Sequence, residues 1–407
     1  MTEIKEPLKN LSKLDQAALA CAQCGQCRVT NWPSKGIFDS CPVYKANNLF
    51  EPYNARGKNL IMKGLLWGHL KLSQDISDVI FQCTLCGLCE EVCFNAQSEN
   101  FDFPLQNIMD HVNTYEALRA DLVEAGFPIE SQVPMNKAMV ELLNPYERDN
   151  KEKLTWTNEL DFKIKNAYTE DAETLYFVGC TSALTPQIQH VAIASAKLFN
   201  KLSIDFSVFG EHEVCCGSVG MRTGDRKSFE EVAEQNTNLF KERGIKRIVT
   251  SCAGCYRTFK KDYGEKLEGI EILHTIEFLN DIISKKDVQL KNLDIKTTYH
   301  DPCHLGRHMG LYDAPRDLLT KISKMTEMKT NRVGAMCCGA GGGVKKGFPE
   351  LSMEMAKNRV KEAEETSAEY LVSTCPFCWR NLSDAIESSG SNMKMIDLVE
   401  LLLESIS

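Results

Sequence analysis

The chain has 407 residues, 43% of them hydrophobic and 25% charged, the balance of a soluble globular protein large enough for two to four domains. Its 47 basic residues are outnumbered by 56 acidic ones, and the net charge of −9 leaves no basic footprint for nucleic acid. No apolar run approaches the ~18 residues of a membrane span, because the stretch from Asn59 to Leu72 is interrupted by Lys63, His69 and Lys71.

The opening MTEIKEPLKN lacks the apolar core of a signal peptide. The expectation is a cytoplasmic protein whose membrane association, if any, comes through a partner. The unusual feature is 18 cysteines. A reducing compartment keeps thiols free, which disfavours a disulfide framework. Scattered buried thiols would not cluster, yet all of these fall into four patterns with none left over, so metal or metal–sulfur binding is predicted.

The first pattern is Cys21-x2-Cys24-x2-Cys27 with Cys41-Pro42 beyond it, and the second is Cys83-x2-Cys86-x2-Cys89-x3-Cys93. Three thiolates at this spacing can curl around three corners of a cubane, while a remote fourth caps it. In two-cluster ferredoxins the fourth belongs to the other cluster. That predicts Cys21, Cys24, Cys27 and Cys93 around cluster 1, and Cys83, Cys86, Cys89 and Cys41 around cluster 2. Gly25 and Gly87 follow the second cysteine of each triplet, where a small residue admits backbone N–H groups. Zinc is the alternative occupant, but it favours pairs of CxxC over triple runs.

Two departures from the usual pattern stand out. Thirteen residues separate Cys27 from Cys41 where three are usual, among them Trp32-Pro33 and Gly36, and Phe94 stands where proline usually follows the last cysteine. The long loop is expected to bulge outward and to offer a docking surface. Between the motifs, Asn54–His69 (NARGKNLIMKGLLWGH) has the period of an amphipathic helix. A mainly helical ferredoxin is therefore expected rather than a β-sheet form. Phe103–Leu143 also reads as helical, and Asn144–Lys153 (NPYERDNKEK) as a polar linker. Nothing catalytic is expected in this connector.

The second half is a duplication. Cys180, Cys215-Cys216-Gly217 and Cys252-x2-Cys255 recur as Cys303, Cys337-Cys338-Gly339 and Cys375-x2-Cys378, at offsets of 123, 122 and 123 residues. ILHTIEFLNDII (Ile272–Ile283) matches MIDLVELLLESI (Met395–Ile406) at the same offset. In copy one, strands are expected at Leu175–Val178, Asp205–Phe209, Arg247–Thr250 and Ile270–Leu273, with helices at Pro186–Leu202 and Arg226–Arg243. In copy two, strands are expected at Thr297–His300, Tyr370–Ser373 and Lys394–Ile396, with helices at Arg316–Ser323 and Met353–Thr366. Alternation of this kind implies parallel sheets with right-handed crossovers. Cys180, Cys252, Cys303 and Cys375 are expected within two residues of strand ends, where α/β sheets build their sites. Five thiolates exceed one cubane or one zinc ion, so each copy is read as holding an unusual multi-iron cluster, with a buried spectator cysteine as the alternative.

The spacing Cx34CCGx34CxxC, repeated as Cx33CCGx35CxxC, resembles the paired cysteine-rich CCG domains found in the B component of heterodisulfide reductase and its relatives. The helical ferredoxin in front resembles the C component of the same enzyme, and the two joined in one chain are similar to its D component. YHDPCHLGRHMGLYDAPR (Tyr299–Arg316) is in keeping with that family. The resemblance implies a multidomain α/β protein: a helical two-cluster ferredoxin-like domain over 1–110, a helical connector over 111–172, and Rossmann-like α/β CCG domains over 173–290 and 291–407. It implies two cubane 4Fe-4S clusters and two noncubane 4Fe-4S clusters. The noncubane ligands would be Cys180, Cys215, Cys216, Cys252 and Cys255 in one copy, and Cys303, Cys337, Cys338, Cys375 and Cys378 in the other. The implied reaction reduces the coenzyme M–coenzyme B heterodisulfide to two thiols, with electrons entering through the ferredoxin-type clusters. The implied partners are an electron-donating subunit, either a membrane cytochrome b or a flavin-containing chain, and a small-molecule disulfide. Two other roles stay open: an electron-transfer subunit of a quinone-linked or benzoyl-CoA-reductase-type complex, and a structural zinc scaffold.

Weaker signals surround these sets. His300, His304 and His308 crowd Cys303, and His212 precedes Cys215. His304 is the candidate proton donor to a leaving thiolate, against an ordinary packing role. The run Gly339–Gly343 lacks the Lys-Ser/Thr of a phosphate loop and reads as backbone room beside a cluster. Lys345 and Lys346 are candidates for attracting an anionic substrate, against a solvated surface pair. No GxGxxG stands at a strand–helix junction, so neither flavin nor nicotinamide is expected on this chain.

Overall fold

Nine short strands, most of them built around β-branched or aromatic residues, form two parallel sheets in the computed structural model, which describes residues 8–29, 31–39, 41–96 and 108–406. The strands are β1 (Lys165–Asn166), β2 (Thr174–Tyr176), β3 (Phe206–Val208), β4 (Arg247–Thr250), β5 (Glu271–His274), β6 (Lys296–Tyr299), β7 (Lys324–Met325), β8 (Tyr370–Ser373) and β9 (Lys394–Asp397). The first sheet runs β1-β3-β2-β4-β5 and the second β7-β6-β8-β9, and every pairing is parallel. Parallel neighbours need crossover connections, which the intervening helices supply. This is the multidomain α/β architecture the duplication predicts.

The two copies interlock through their helices. Gln189–Lys201 of copy one packs on Leu398–Ser405 of copy two, and Thr275–Lys285 packs reciprocally on Asp313–Ile322. The repeat extends to the caps: His274 with Glu277 and Asp397 with Glu400 both close capping boxes, 123 residues apart. Each cap ends a strand whose last residue turns the chain into the packing helix.

The chain divides into two compact units. The first comprises Met1–Pro134, Val219–Lys227 and Lys329–Ala356, and the second Met135–Ser218, Ser228–Met328 and Lys357–Ser407. Both sheets lie in the second. The first is helical: Ala55–Leu66 starts at Asn54, whose Oδ1 accepts from the Gly57 N–H at 3.0 Å, and Gln74–Phe81 and His111–Glu124 follow. Leu11, Met62, Ile80, Phe81, Leu118 and Leu122 form its core.

Several expectations are corrected. Asn144–Lys153 is not a linker. Asn144 is fully buried, with its side-chain amide donating to the Leu142 and Arg148 carbonyls, and the 3-10 segment Asn150–Glu159 buries Lys153 and Trp156. A run of charged residues reads as solvated only when its partners are unknown. The helix expected over Asn54–His69 stops at Leu66, and that expected from Phe103 is found over His111–Glu124, while 103–107, like 1–7, lie outside the described residues. Cys180 and Cys303 lie four residues beyond their strands, which end at Tyr176 and Tyr299, rather than two. The edge strands β1 and β7, two residues each, are too short to carry a sequence period.

Burial pushes His111 and His274 down to about 4. Both are neutral in the fold, whereas the unfolded chain takes up protons below about 6.5. Stability is therefore complete above pH 6.5 and is lost as pH falls towards 4. The loss should reach about 2 kcal/mol per histidine by pH 5. Urea midpoints at pH 7 and pH 5 check this, and His111→Gln should flatten part of the drop; an unchanged slope in that variant would contradict the assignment.

Candidate metal centres

The first unit gathers the eight N-terminal cysteines into two groups. Cys93 neighbours Cys21 and Cys24, and Cys27 neighbours Cys41 as well as Cys21 and Cys93. Cys41 neighbours Cys83 and Cys86, and Cys89 neighbours Cys83, Cys86 and Cys41. Both triplets wind alike, with positive φ at Gln23 and Gly25 in one and at Leu85 and Gly87 in the other. Burial pushes Cys27 and Cys41 up to about 12 and Cys93 to about 11. The helix Ala55–Leu66 supplies cations to both groups: Lys58 opposes the shift at Cys41, and Lys63 Nζ donates to the Cys21 carbonyl at 2.7 Å.

The two departures from the usual motif meet each other. The Cys27–Cys41 insertion closes on an antiparallel bridge between Trp32 and Ile37, and the Trp32 ring lies 6.2 Å from that of Phe94. Its turn at Gly36 (φ 68°) presses on Gly334, where a Cβ would stand 2.2 Å from the Gly36 carbonyl oxygen. Part of the expected docking loop is therefore covered by the chain itself.

In the second unit the sheet order β3-β2-β4 brings the ends of three neighbouring strands together. Cys215 and Cys216 follow β3, Cys180 follows β2, and Cys252 and Cys255 follow β4. Their thiols form a continuous run. Cys180 adjoins Cys215, Cys215 adjoins Cys216, Cys216 adjoins Cys255, and Cys255 adjoins Cys252. The run continues into copy two, where Cys252 adjoins Cys375 and Cys375 adjoins Cys378. Hydrogen bonding from Cys215 and Cys255 draws Cys216 down to about 6, while hydrogen bonding to Cys215 and then burial push Cys180 well up. Gly179 leaves room for this arrangement, since a Cβ there would meet Cys255 Sγ at 3.3 Å.

Of the second set, Cys303, Cys375 and Cys378 lie in the second unit, and Cys337 and Cys338 in the first. Within the second unit, His300 is fully buried, its Nδ1 accepts from Arg359 Nε at 3.1 Å, and a ring nitrogen lies within 4.8 Å of Cys378 Sγ. Asp301 holds Arg316 with two bonds of 2.8 and 2.9 Å. The His304 ring is 4.6 Å from His308, and His212 stacks on Tyr168 at 4.1 Å. Within the first unit, the Gly339 N–H donates to Cys337 Sγ at 3.4 Å, and Gly341 and Gly342 press on the carbonyls of Thr84 and Cys83. The glycine run therefore makes room for backbone beside the second ferredoxin motif.

Sequence reasoning missed Lys153, Glu213 and Arg119. Glu213 accepts the Val178 and Gly179 N–H groups at 2.9 and 3.0 Å and so shapes the turn into Cys180. Lys153 lies 3.8 Å from Glu213 and donates to its carbonyl. Burial opposes the Lys153 charge, but Cys180 and Glu213 outweigh it and hold the ammonium above its usual range. Neither residue belongs to a spacing motif.

These donor sets are thiols, in groups matching iron–sulfur chemistry, and protonated thiols release their protons on ligating metal. Known families point the same way. The 4Fe-4S dicluster domain family matches residues 17–96, and the cysteine-rich CCG domain family matches residues 174–260 and 297–383. The D subunit of the dihydromethanophenazine:CoB–CoM heterodisulfide reductase of Methanosarcina mazei is 36% identical, over 98% of this chain and 96% of that one. The chain belongs to the D-subunit family of heterodisulfide reductase. It is an iron–sulfur oxidoreductase of the heterodisulfide reductase type, a class acting on a disulfide. Its similarity to the EtfAB:quinone oxidoreductase of Syntrophomonas wolfei is lower, 27% identity over 81% of this chain and 47% of that one. A hypothetical protein from Helicobacter pylori shares the fold alone, with a TM-score of 0.50 and 11% identity over 86% of this chain and 68% of that one. The D-type relatives belong to a multi-subunit reductase. Among the described residues, no helix of this family member is long and apolar enough to cross a membrane.

Proposed function

We propose that this chain is the catalytic subunit reducing the coenzyme M–coenzyme B heterodisulfide to two thiols. The observation carrying the reading is the run of sulfurs from Cys180 to Cys378 through the Cys252–Cys375 contact, which brings cysteines of both sets together. On this reading Cys180, Cys215, Cys216, Cys252 and Cys255 hold one noncubane cluster, and Cys303, Cys337, Cys338, Cys375 and Cys378 the other. Cys21, Cys24, Cys27 and Cys93 hold one cubane, and Cys83, Cys86, Cys89 and Cys41 the second. When bound, the clusters supply the electrons and the affinity for sulfur that disulfide cleavage requires. The protein's part is to bury the thiolates from water, to fix their backbone with Glu213 and Gly179, and to deliver protons to the departing thiolates. His304 is the proposed proton donor. The partner is an electron-donating subunit, a membrane cytochrome b or a flavin-containing chain.

Anaerobically purified protein should contain about sixteen irons per chain, four for each of four clusters. It should also reduce the heterodisulfide with a reduced viologen. Eight irons would remove the noncubane assignment. Full iron without turnover would favour the second reading, an electron-transfer subunit of a quinone-linked complex, which the similarity to the EtfAB:quinone oxidoreductase supports.

A further inference from the structure

The segment Leu143–Lys153 wraps the first five-cysteine set. The Cys215 N–H donates to the Leu143 carbonyl at 2.9 Å, the Tyr146 hydroxyl meets Thr181 Oγ1 at 2.8 Å, and Arg148 donates to the Leu184 carbonyl at 2.9 Å. At its end Lys153, with a side chain only 1% exposed, reaches the Leu143 carbonyl at 3.4 Å and the Glu213 carbonyl, and Cys180 lies near enough to favour its charge. An ammonium so deeply buried needs anionic and carbonyl partners, and all of these are present.

Lys153 stands before the repeated segments, and the counterpart of Glu213, two residues before Cys337, is Ala335.

We propose that Lys153 is a positioning residue for the first set, its buried ammonium beside Cys180 holding the cluster there at a higher reduction potential than it would have without that charge. The proposal rests on the reading that these five cysteines hold a cluster. A cation beside a thiolate ligand favours the reduced, more negative state, and hydrogen bonds to the sulfurs act in the same direction.

The test is an EPR-monitored redox titration of the full-length, iron-loaded protein with Lys153→Met, Lys153→Gln and Lys153→Arg. Lys153→Met keeps the length of the side chain, and Lys153→Gln keeps a donor for the two carbonyls should the methionine variant fail to fold. In both, one noncubane signal should shift to a more negative potential while the other three clusters stay in place, and Lys153→Arg should restore it. Loss of about four irons in the neutral variants, with retention in the arginine variant, would also support the charge. Unchanged potentials at full iron, a common shift of all signals, or iron loss in all three variants would overturn it. Wild-type protein with eight irons would instead remove the cluster reading itself.

Discussion

Replacing Cys216 by alanine is expected to abolish heterodisulfide reduction and to lower the iron content from about sixteen to about twelve per chain. Cys216 stands in the middle of the sulfur run, between Cys215 and Cys255, and it is a thiol that its neighbours draw towards the ionised form. Its backbone is held independently of the sulfur. The Cys216 carbonyl accepts from the Tyr263 hydroxyl at 3.1 Å, and Gly217 follows at φ +83°, against Phe229 and Val232. The change removes one sulfur from a buried position, at a cost in stability of about 1 kcal/mol, too little to unfold a domain. One noncubane EPR signal should vanish. The ferredoxin-type signals should persist, because Cys21 to Cys93 all belong to the other compact unit. Survival of every signal in Cys216→Ala would falsify the ligand assignment.

Arg119→Met should collapse the first unit. Arg119 is fully buried on the helix His111–Glu124, and its guanidinium donates to four carbonyls: Arg222 at 2.7 Å, Gly342 at 2.8 Å, Ile80 at 2.9 Å, and Cys83. It also lies 4.8 Å over the Phe81 ring. One side chain therefore ties together three separate stretches of sequence, the last carrying the glycine run after Cys338. Methionine fills a similar volume but withdraws hydrogen bonds from four buried carbonyls, at roughly 1–3 kcal/mol for each one left without another donor, and of these the Ile80 carbonyl keeps the Gln82 and Cys83 N–H groups. The sum is comparable to the whole stability of an ordinary domain. Urea unfolding followed by circular dichroism should show a lost or strongly lowered transition. The iron bound by the Cys83 group should go with it. Arg119→Lys should rescue only in part, because an ammonium cannot fork between four carbonyls as a guanidinium can. A wild-type midpoint in Arg119→Met would show that the four bonds contribute little.

Arg119 and Lys153 also mark where reading the sequence ends. Strand and helix positions in both copies are legible because period and composition act locally, and the strands at Arg247–Thr250 and Tyr370–Ser373 fall where the pattern places them, to the residue. The two cysteine triplets are legible because ligand spacing is set by the size of a cluster. The Asn144–Lys153 segment misleads for the opposite reason. Its charges look solvated in the chain, yet Lys153 is buried against the carbonyl of Glu213, sixty residues away.

By itself the sequence determined the number of cysteines, their order, the offset of 123 residues between copies and the alternation of strands with helices. These are covalent or short-range properties. Only the tertiary structure decided that the thiol run of copy one continues through Cys252 into Cys375. It alone decided that the loop after Cys338 is held by Arg119 and that Lys153 attends the first five-cysteine set. Those choices depend on which distant groups share a buried space. There an unpaired charge or carbonyl is costly, and its partner is set by the fold rather than by spacing along the chain.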